Sequence, residues 1–121
     1  MSERPLLLVV DDDPSVLLLV DVMAEKMGFR VKAVSNGLQA LEHLRDGLQP
    51  DVILLDIMME RIDGLTFMNH LREMAALQKT PVIAMSTAAV LERYGDRLKV
   101  SGTLLKPITQ TTLSEALSAY R

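Results

Sequence analysis

Short apolar runs alternate with longer amphipathic stretches along this chain. The run Val52–Leu55 lies between two aspartates and shows no alternation of polar and apolar positions. Such a run is typical of a strand that is buried on both faces, as in a parallel sheet, and it predicts a central strand over Asp51–Asp56. Comparable runs predict four more strands, at Leu6–Val10, Phe29–Val34, Pro81–Met85 and Thr103–Leu105. The second strand in the chain alternates more, which favours a place near the sheet edge.

Five amphipathic stretches follow these strands and predict helices. Asp13 and Pro14 suit the cap and first turn of the first helix, which we expect to run to about Met27 and to end at Gly28. The others are expected after Asn36–Gly37 as far as Gly47, from Asp63–Gly64, over Ala88–Leu98 and over Thr112–Tyr120. Gly95 interrupts the fourth helix, which we therefore expect to be abbreviated or irregular.

Strand–helix alternation with short connections favours parallel strands joined by right-handed crossovers. The predicted fold is an α/β open doubly wound sheet with helices on both faces, in one domain over residues 1–121. A closed barrel of eight strands would need about twice this length. The residues expected to face the core are Val16, Leu17, Val20, Met23 and Met27 in the first helix, Leu38, Leu41 and Leu44 in the second, Leu65, Met68, Leu71 and Ala75 in the third, Val90, Leu91, Tyr94 and Leu98 in the fourth, and Leu113, Ala116, Leu117 and Tyr120 in the fifth.

Composition excludes several classes of protein. The chain has 121 residues, of which 49% are hydrophobic and 24% charged, as in a globular domain. It has no cysteine, so disulfides and thiolate metal sites are excluded, which fits a reducing, cytoplasmic compartment. The formal net charge of −3 and an aromatic content of 3% argue against direct binding of nucleic acid. The apolar run Leu6–Val10 is too short to span a membrane.

Charged and hydroxyl side chains follow the predicted strands at their carboxyl ends, which share one edge in a parallel sheet. Asp11 and Asp12 follow the first strand, Asp56 the third, Ser86 and Thr87 the fourth, and Lys106 the fifth. Of the two hydroxyls, the register from Pro81 favours Ser86. Clustered carboxylates repel unless a cation or a proton joins them, and oxygen ligands favour Mg²⁺, Mn²⁺ or Ca²⁺. With a lysine and a hydroxyl to hold phosphoryl oxygens, this set predicts phosphoryl transfer to a carboxylate.

These residues, in this order, resemble the receiver domain of two-component response regulators, the CheY-like superfamily. The matching motifs, which extend over nearly the whole chain, are Val9-Val10-Asp11-Asp12, the strand Asp51–Asp56, Asp63-Gly64, Pro81-Val82-Ile83, Ser86 and Lys106-Pro107. The resemblance implies the flavodoxin-like fold with strand order 2-1-3-4-5. It also implies a domain that accepts a phosphoryl group from a histidine kinase or phosphotransfer protein, and that signals to a protein effector or an attached output domain. Such a domain catalyses its own phosphorylation and dephosphorylation and is not a conventional enzyme.

The resemblance also implies a role for each site residue. Asp56 would be the phosphoacceptor and a ligand of Mg²⁺ or Mn²⁺. Asp12 would bind the metal directly and Asp11 through water, with the backbone carbonyl of Met58 as a further ligand. Ser86 and Lys106 would each hold a phosphoryl oxygen. The peptide bond between Lys106 and Pro107 would be cis.

The sequence departs from the family pattern at three positions. Glu60 stands where proline is usual, Thr103 where an aromatic residue is usual, and Ile108 where phenylalanine is common. The first two leave open an alternative function, a receiver-like interaction module that works without phosphorylation. A Mg²⁺-dependent phosphohydrolase is a third reading, but such enzymes usually carry a second carboxylate where this chain has Met58.

Overall fold

The computed structural model describes residues 4–59 and 62–121, and its five strands form one parallel sheet. The strands are β1 (Leu6–Val10), β2 (Arg30–Val34), β3 (Val52–Asp56), β4 (Val82–Ser86) and β5 (Gly102–Leu105). Their order in the sheet is β2-β1-β3-β4-β5, as the resemblance implied. The predicted edge position of β2 is confirmed, and every residue of the central strand β3 is buried.

Among the described residues, four α-helices connect the strands and a fifth follows β5. They are α1 (Pro14–Lys26), α2 (Gly37–Arg45), α3 (Gly64–Glu73), α4 (Ala88–Leu98) and α5 (Gln110–Leu117), with short 3-10 turns at Ala75–Leu77 and Ser118–Tyr120. The carboxylate of Asp13 accepts a hydrogen bond from the Ser15 amide and caps α1, which confirms the predicted start. Gly28 follows the end of α1 with φ of 99°, a conformation that favours glycine. Within the part of the chain that the structure describes, no helix is long and apolar enough to cross a membrane.

Two of the expected helices differ from their prediction. The fourth is a continuous helix of 11 residues, so the expected abbreviation or irregularity is wrong. Its apolar face packs against the core through Val90, Leu91 and Leu98, and such packing outweighs the low helix propensity of one glycine. The fifth begins at Gln110, before the predicted start at Thr112, because the Thr109 hydroxyl accepts a hydrogen bond from the Thr112 amide and caps it.

The core has two parts, one on each face of the sheet. On one face the strands pack against α2, α3 and α4, and on the other against α1 and α5. Alternate residues of β3 serve the two faces: Ile53 and Leu55 belong to the first cluster, and Val52 and Leu54 to the second. The predicted arrangement of helices on both faces is therefore confirmed.

The expected inward faces of α2 and α3 are wrong at their first turns. Leu38 and Leu65 are 42% and 44% exposed, and the adjacent glycines take the inner position instead. A Cβ atom on Gly37 would collide with the Ile62 side chain, and one on Gly64 with the side chain of Ile57, so these inner positions have no room for leucine. The buried stripes are Gly37, Ala40, Leu41 and Leu44 in α2, and Gly64, Phe67, Met68 and Leu71 in α3. Ala75 is exposed in the 3-10 turn that follows α3.

Candidate functional site

The register of the sheet brings the ends of four strands together at one edge. Val10 lies beside Leu55, Asp56 beside Met85, and Ser86 beside Leu105. Asp11 and Lys106 are the residues that directly follow β1 and β5, so each leaves its strand at this same edge. The structure therefore brings these side chains together at the carboxyl edge of the sheet, as predicted.

Lys106 is the cation at the centre of this edge. Its Nζ lies 2.8 Å from Oδ2 of Asp11 and 3.3 Å from Oδ2 of Asp56. The Lys106 amide also donates a hydrogen bond to the Ser86 carbonyl, 3.0 Å away, which ties the end of β5 to the end of β4. The peptide bond from Lys106 to Pro107 is cis, as the resemblance implied.

Backbone amides fix the orientation of two carboxylates. Oδ1 of Asp11 accepts a hydrogen bond from the Asp13 amide at 2.9 Å, and Oδ1 of Asp56 accepts one from the Met58 amide at 3.1 Å. In both side chains Oδ1 is therefore held by the loop that follows the strand, and Oδ2 faces Lys106. Sequence reasoning missed these two amides, because a backbone donor carries no residue-type signal.

Three carboxylates of the site fit a divalent cation. One oxygen from each of Asp11, Asp12 and Asp56 lies within 4.8 Å of the other two. Oδ2 of Asp11 is buried, and apart from Lys106 Nζ at 2.8 Å it has no polar partner among the described residues. A buried oxygen with unused acceptor capacity beside two more carboxylates matches the ligands that hard cations prefer. These residues could therefore hold a metal ion.

Burial and neighbouring charges shift the pKa values of Asp56 and Lys106. The pKa of Asp56 is raised from its ordinary value, first by burial and then by the charge of Asp11, while the Met58 amide and Lys106 oppose the shift. Burial lowers the pKa of Lys106, but the Asp11 and Asp56 carboxylates raise it by more, and the net shift is upward. The Lys106 ammonium is therefore protonated at neutral pH. Ionisation of Asp56 lowers the stability of the metal-free protein.

We predict that Asp56→Asn stabilises the metal-free protein at neutral pH. A carboxyl group with a raised pKa binds a proton more tightly in the folded than in the unfolded state, so its ionisation costs stability once the pH exceeds its ordinary pKa. The advantage of the variant should therefore be present at pH 7 and should shrink as the pH falls through the folded-state pKa to the ordinary carboxyl value. Urea unfolding of both proteins in the presence of a chelator measures it. An advantage that stays the same at every pH would contradict this assignment.

The structure places the remaining predicted residues as follows. Asp12 is exposed at the rim, in contrast to Asp11, which is fully buried. Ser86 is buried at the end of β4. The Met58 side chain is 57% exposed, and its contact with the site is through its backbone. Thr103 is exposed on β5, and Glu60 lies outside the described residues.

Comparison with known proteins shows the family to which this chain belongs. The sequence model of the response regulator receiver domain matches residues 7–118, and this chain belongs to that family, the receiver domains of two-component systems. Response regulator Rre1 from Synechocystis sp. is 36% identical over 100 residues, which are 82% of this chain and 42% of that protein. The signal transduction histidine-protein kinase BarA from Escherichia coli is 32% identical over 119 residues, covering 94% of this chain and 12% of the kinase.

The fold also matches solved structures. The chemotaxis response regulator CheY4 of Vibrio cholerae superimposes with a TM-score of 0.88 at 26% identity, over 98% of this chain and 99% of that one. Against the two sequence relatives, by contrast, the chain spans less than half of each protein's length, 42% and 12%. What the whole relatives do beyond their receiver segments is therefore not carried over to this chain.

Proposed function

We propose that Asp56 accepts a phosphoryl group from a phosphohistidine donor and that this switches a protein-interaction surface. The observation that carries the proposal is the position of Lys106 Nζ, 2.8 Å from Asp11 and 3.3 Å from Asp56. An ammonium held between two carboxylates at the carboxyl edge of a parallel sheet can stabilise negative charge that arrives on Asp56. Asp56 is 4% exposed, which limits the access of water to the acceptor.

Each residue of the site has a separate part in this proposal. Asp11, Asp12, Asp56 and the Met58 carbonyl would hold Mg²⁺ or Mn²⁺. The bound ion would supply positive charge that offsets the phosphoryl oxygens. Lys106 would pair with one phosphoryl oxygen, and the Ser86 hydroxyl would donate a hydrogen bond to another. The Met58 amide already holds Oδ1 of Asp56, so it orients the carboxylate for attack.

The transfer itself is a displacement at phosphorus. A carboxylate oxygen of Asp56 forms the new P–O bond, and the P–N bond of the phosphohistidine breaks. The imidazole nitrogen leaves with the bonding electron pair, and a proton on the other ring nitrogen makes the leaving group neutral imidazole. With acetyl phosphate as the donor, the bond that breaks is the acyl phosphate P–O bond, and acetate leaves. Lys106 stays protonated throughout, because its raised pKa keeps it charged.

The proposed partners follow from this chemistry. The donor would be a histidine kinase or a phosphotransfer protein that presents a phosphohistidine to the acidic edge. The receiver of the signal would be a protein effector or an output domain attached to the same polypeptide. BarA, a histidine kinase that contains a segment similar to this chain, is an example of a receiver segment within a longer signalling protein.

Incubation with acetyl phosphate and Mg²⁺, followed by intact mass measurement, tests the proposal. We expect one phosphoryl adduct on the wild-type chain, and none on Asp56→Asn or in the presence of a chelator. Asp51→Asn is a matched control, because Asp51 lies at the opposite end of β3, where its carboxylate accepts a hydrogen bond from the Leu6 amide at 2.7 Å. The control variant should form the adduct like the wild type. No adduct on the wild type, with no measurable magnesium binding, would favour the phosphorylation-independent interaction module.

A further inference from the structure

A groove runs between α3 and α4, beside the loop that follows β3, and its lining does not include Asp11, Asp12 or Asp56. It consists of two adjoining cavities of about 230 and 290 Å³ that share the residues Leu65, Arg97 and Leu98. We call this feature the α3–α4 groove. The first cavity extends to the loop after β3, and the second extends to the end of α4.

The end of the groove nearer the loop after β3 is mainly apolar. Its walls include Met58, Leu65, Tyr94 and Leu98. Met58 and Leu65 are 57% and 44% exposed, so both large apolar side chains are accessible at this end of the groove. Asp63 also borders this end, but its carboxylate accepts the hydrogen bond from the Thr66 amide that caps α3. This end can take a large apolar side chain and would disfavour an acidic one.

The other end of the groove is cationic. Arg72, Arg97 and Lys99 line the second cavity. The Arg72 guanidinium donates hydrogen bonds to the carbonyls of Leu77, Gln78 and Thr80, so it already has partners within the fold. The side chains of Arg97 and Lys99 are exposed and make no hydrogen bond or ion pair with any other described residue.

The Lys99 end of the groove is positively charged, whereas the chain as a whole is acidic. The formal net charge is −3, yet three cations meet at one end of the groove. Arg97 lies where the two cavities adjoin and Lys99 lies in the second alone, so a complementary ligand carries negative charge from Arg97 towards Lys99 and an apolar group at the Tyr94 end. The opposite orientation would place an acidic group beside Asp63 and an apolar group beside Lys99.

We propose that the α3–α4 groove docks an acidic peptide segment of a partner protein, anchored by one large apolar side chain. The anchor would occupy the cavity formed by Met58, Leu65 and Tyr94, and flanking Asp or Glu residues of the peptide would pair with Arg97 and Lys99. The cavity would hold the apolar side chain, and the charges of Arg97 and Lys99 would set the orientation of the peptide. Met58 lines the groove with its side chain and contacts Asp56 through its backbone amide, and the other groove residues named here take no part in the proposed phosphorylation. Docking of the peptide is therefore proposed for the unphosphorylated chain.

Selection from a randomised peptide library displayed on phage, with the full chain immobilised, tests the proposal. We expect the selected peptides to be rich in Asp and Glu around a Leu, Met or Phe. Fluorescence polarisation of a labelled selected peptide should show binding that weakens by about tenfold in Arg97→Glu and in Leu65→Ser. Binding should also weaken as the salt concentration rises.

Two matched variants control for nonspecific effects. Lys79→Glu makes the same charge reversal at an exposed residue outside the groove, and Leu18→Ser removes an apolar side chain that is 67% exposed on α1. Both should bind the peptide like the wild type, and all four variants should unfold at the same urea concentration as the wild type within experimental error. Selection of no peptide, selection of peptides without acidic residues, or binding that survives Arg97→Glu and Leu65→Ser would each overturn the proposal.

Discussion

Replacing Lys106 with methionine is expected to lower the free energy of unfolding of the metal-free protein by about 2–3 kcal/mol. The reason is the burial of Asp11, which is 0% exposed and whose Oδ2 has the Lys106 ammonium 2.8 Å away. Without that ammonium, the Asp11 and Asp56 carboxylates face each other with no cation between them. Methionine keeps most of the alkyl stem of the lysine, so lost packing contributes little. Urea unfolding in the presence of a chelator measures the effect.

Two further measurements identify the cause as charge. Mg²⁺ should restore part of the lost stability in Lys106→Met, because a divalent cation can take over the compensation of the carboxylates. Phosphorylation by acetyl phosphate should be slower by about 10²-fold, the usual cost of removing one electrostatic stabiliser of a transition state. Lys79→Met, at an exposed site with no carboxylate partner among the described residues, should change stability by no more than about 0.5 kcal/mol. Equal stability of Lys106→Met and Lys79→Met would show that Lys106 does not compensate Asp11.

The fold could be predicted because local signals and the long-range arrangement agree. Apolar runs without alternation mark β1, β3 and β4, and these are the strands whose residues are almost all buried. Asp13 and Gly28 mark the two ends of α1 by their own conformational preferences. Once strands and helices alternate, parallel pairing and two helical layers follow from connection geometry. None of these steps needed a specific tertiary contact.

The errors in the inward faces of α2 and α3 arose where a tertiary contact decides which residue is buried. Leu38 and Leu65 have the spacing of inward residues, yet both are exposed because Gly37 and Gly64 occupy the inner positions. That choice depends on the close approach of Ile62 and Ile57, which no local pattern encodes. The exposed Leu65 forms part of the α3–α4 groove. Because the sequence pattern assigned Leu65 to the core, it could not predict this surface.

The residues of the acidic edge were predictable, but their individual environments were not. Asp11 and Asp12 are neighbours in sequence and identical in type, and strand ends alone assign both to the same edge. In the structure Asp11 is buried beside Lys106, whereas Asp12 is exposed. Successive side chains at a strand end point in different directions, and which one turns inward depends on the path of the following loop. This difference has a measurable consequence for metal binding and folding.

Asp12→Ala is expected to weaken Mg²⁺ binding by at least about tenfold and to leave the metal-free protein as stable as the wild type within about 0.5 kcal/mol. Asp12 provides one of three carboxylates whose oxygens lie within 4.8 Å of one another, so its removal takes one of three negative charges from the site. Because the side chain is exposed, little else depends on it. Isothermal titration with Mg²⁺ and urea unfolding with a chelator measure the two quantities.

Asp13→Ala is the matched control, and it should show the reverse behaviour. The Asp13 carboxylate caps α1 through the Ser15 amide, so its loss should cost about 1 kcal/mol of stability. Its contact with the site is through its backbone amide, which donates to Asp11 and survives the substitution, so Mg²⁺ affinity should be unchanged. Opposite responses of these adjacent aspartates would separate a metal ligand from a helix cap. If Asp12→Ala instead bound Mg²⁺ as tightly as the wild type, the metal site would have to rest on Asp11 and Asp56 without it.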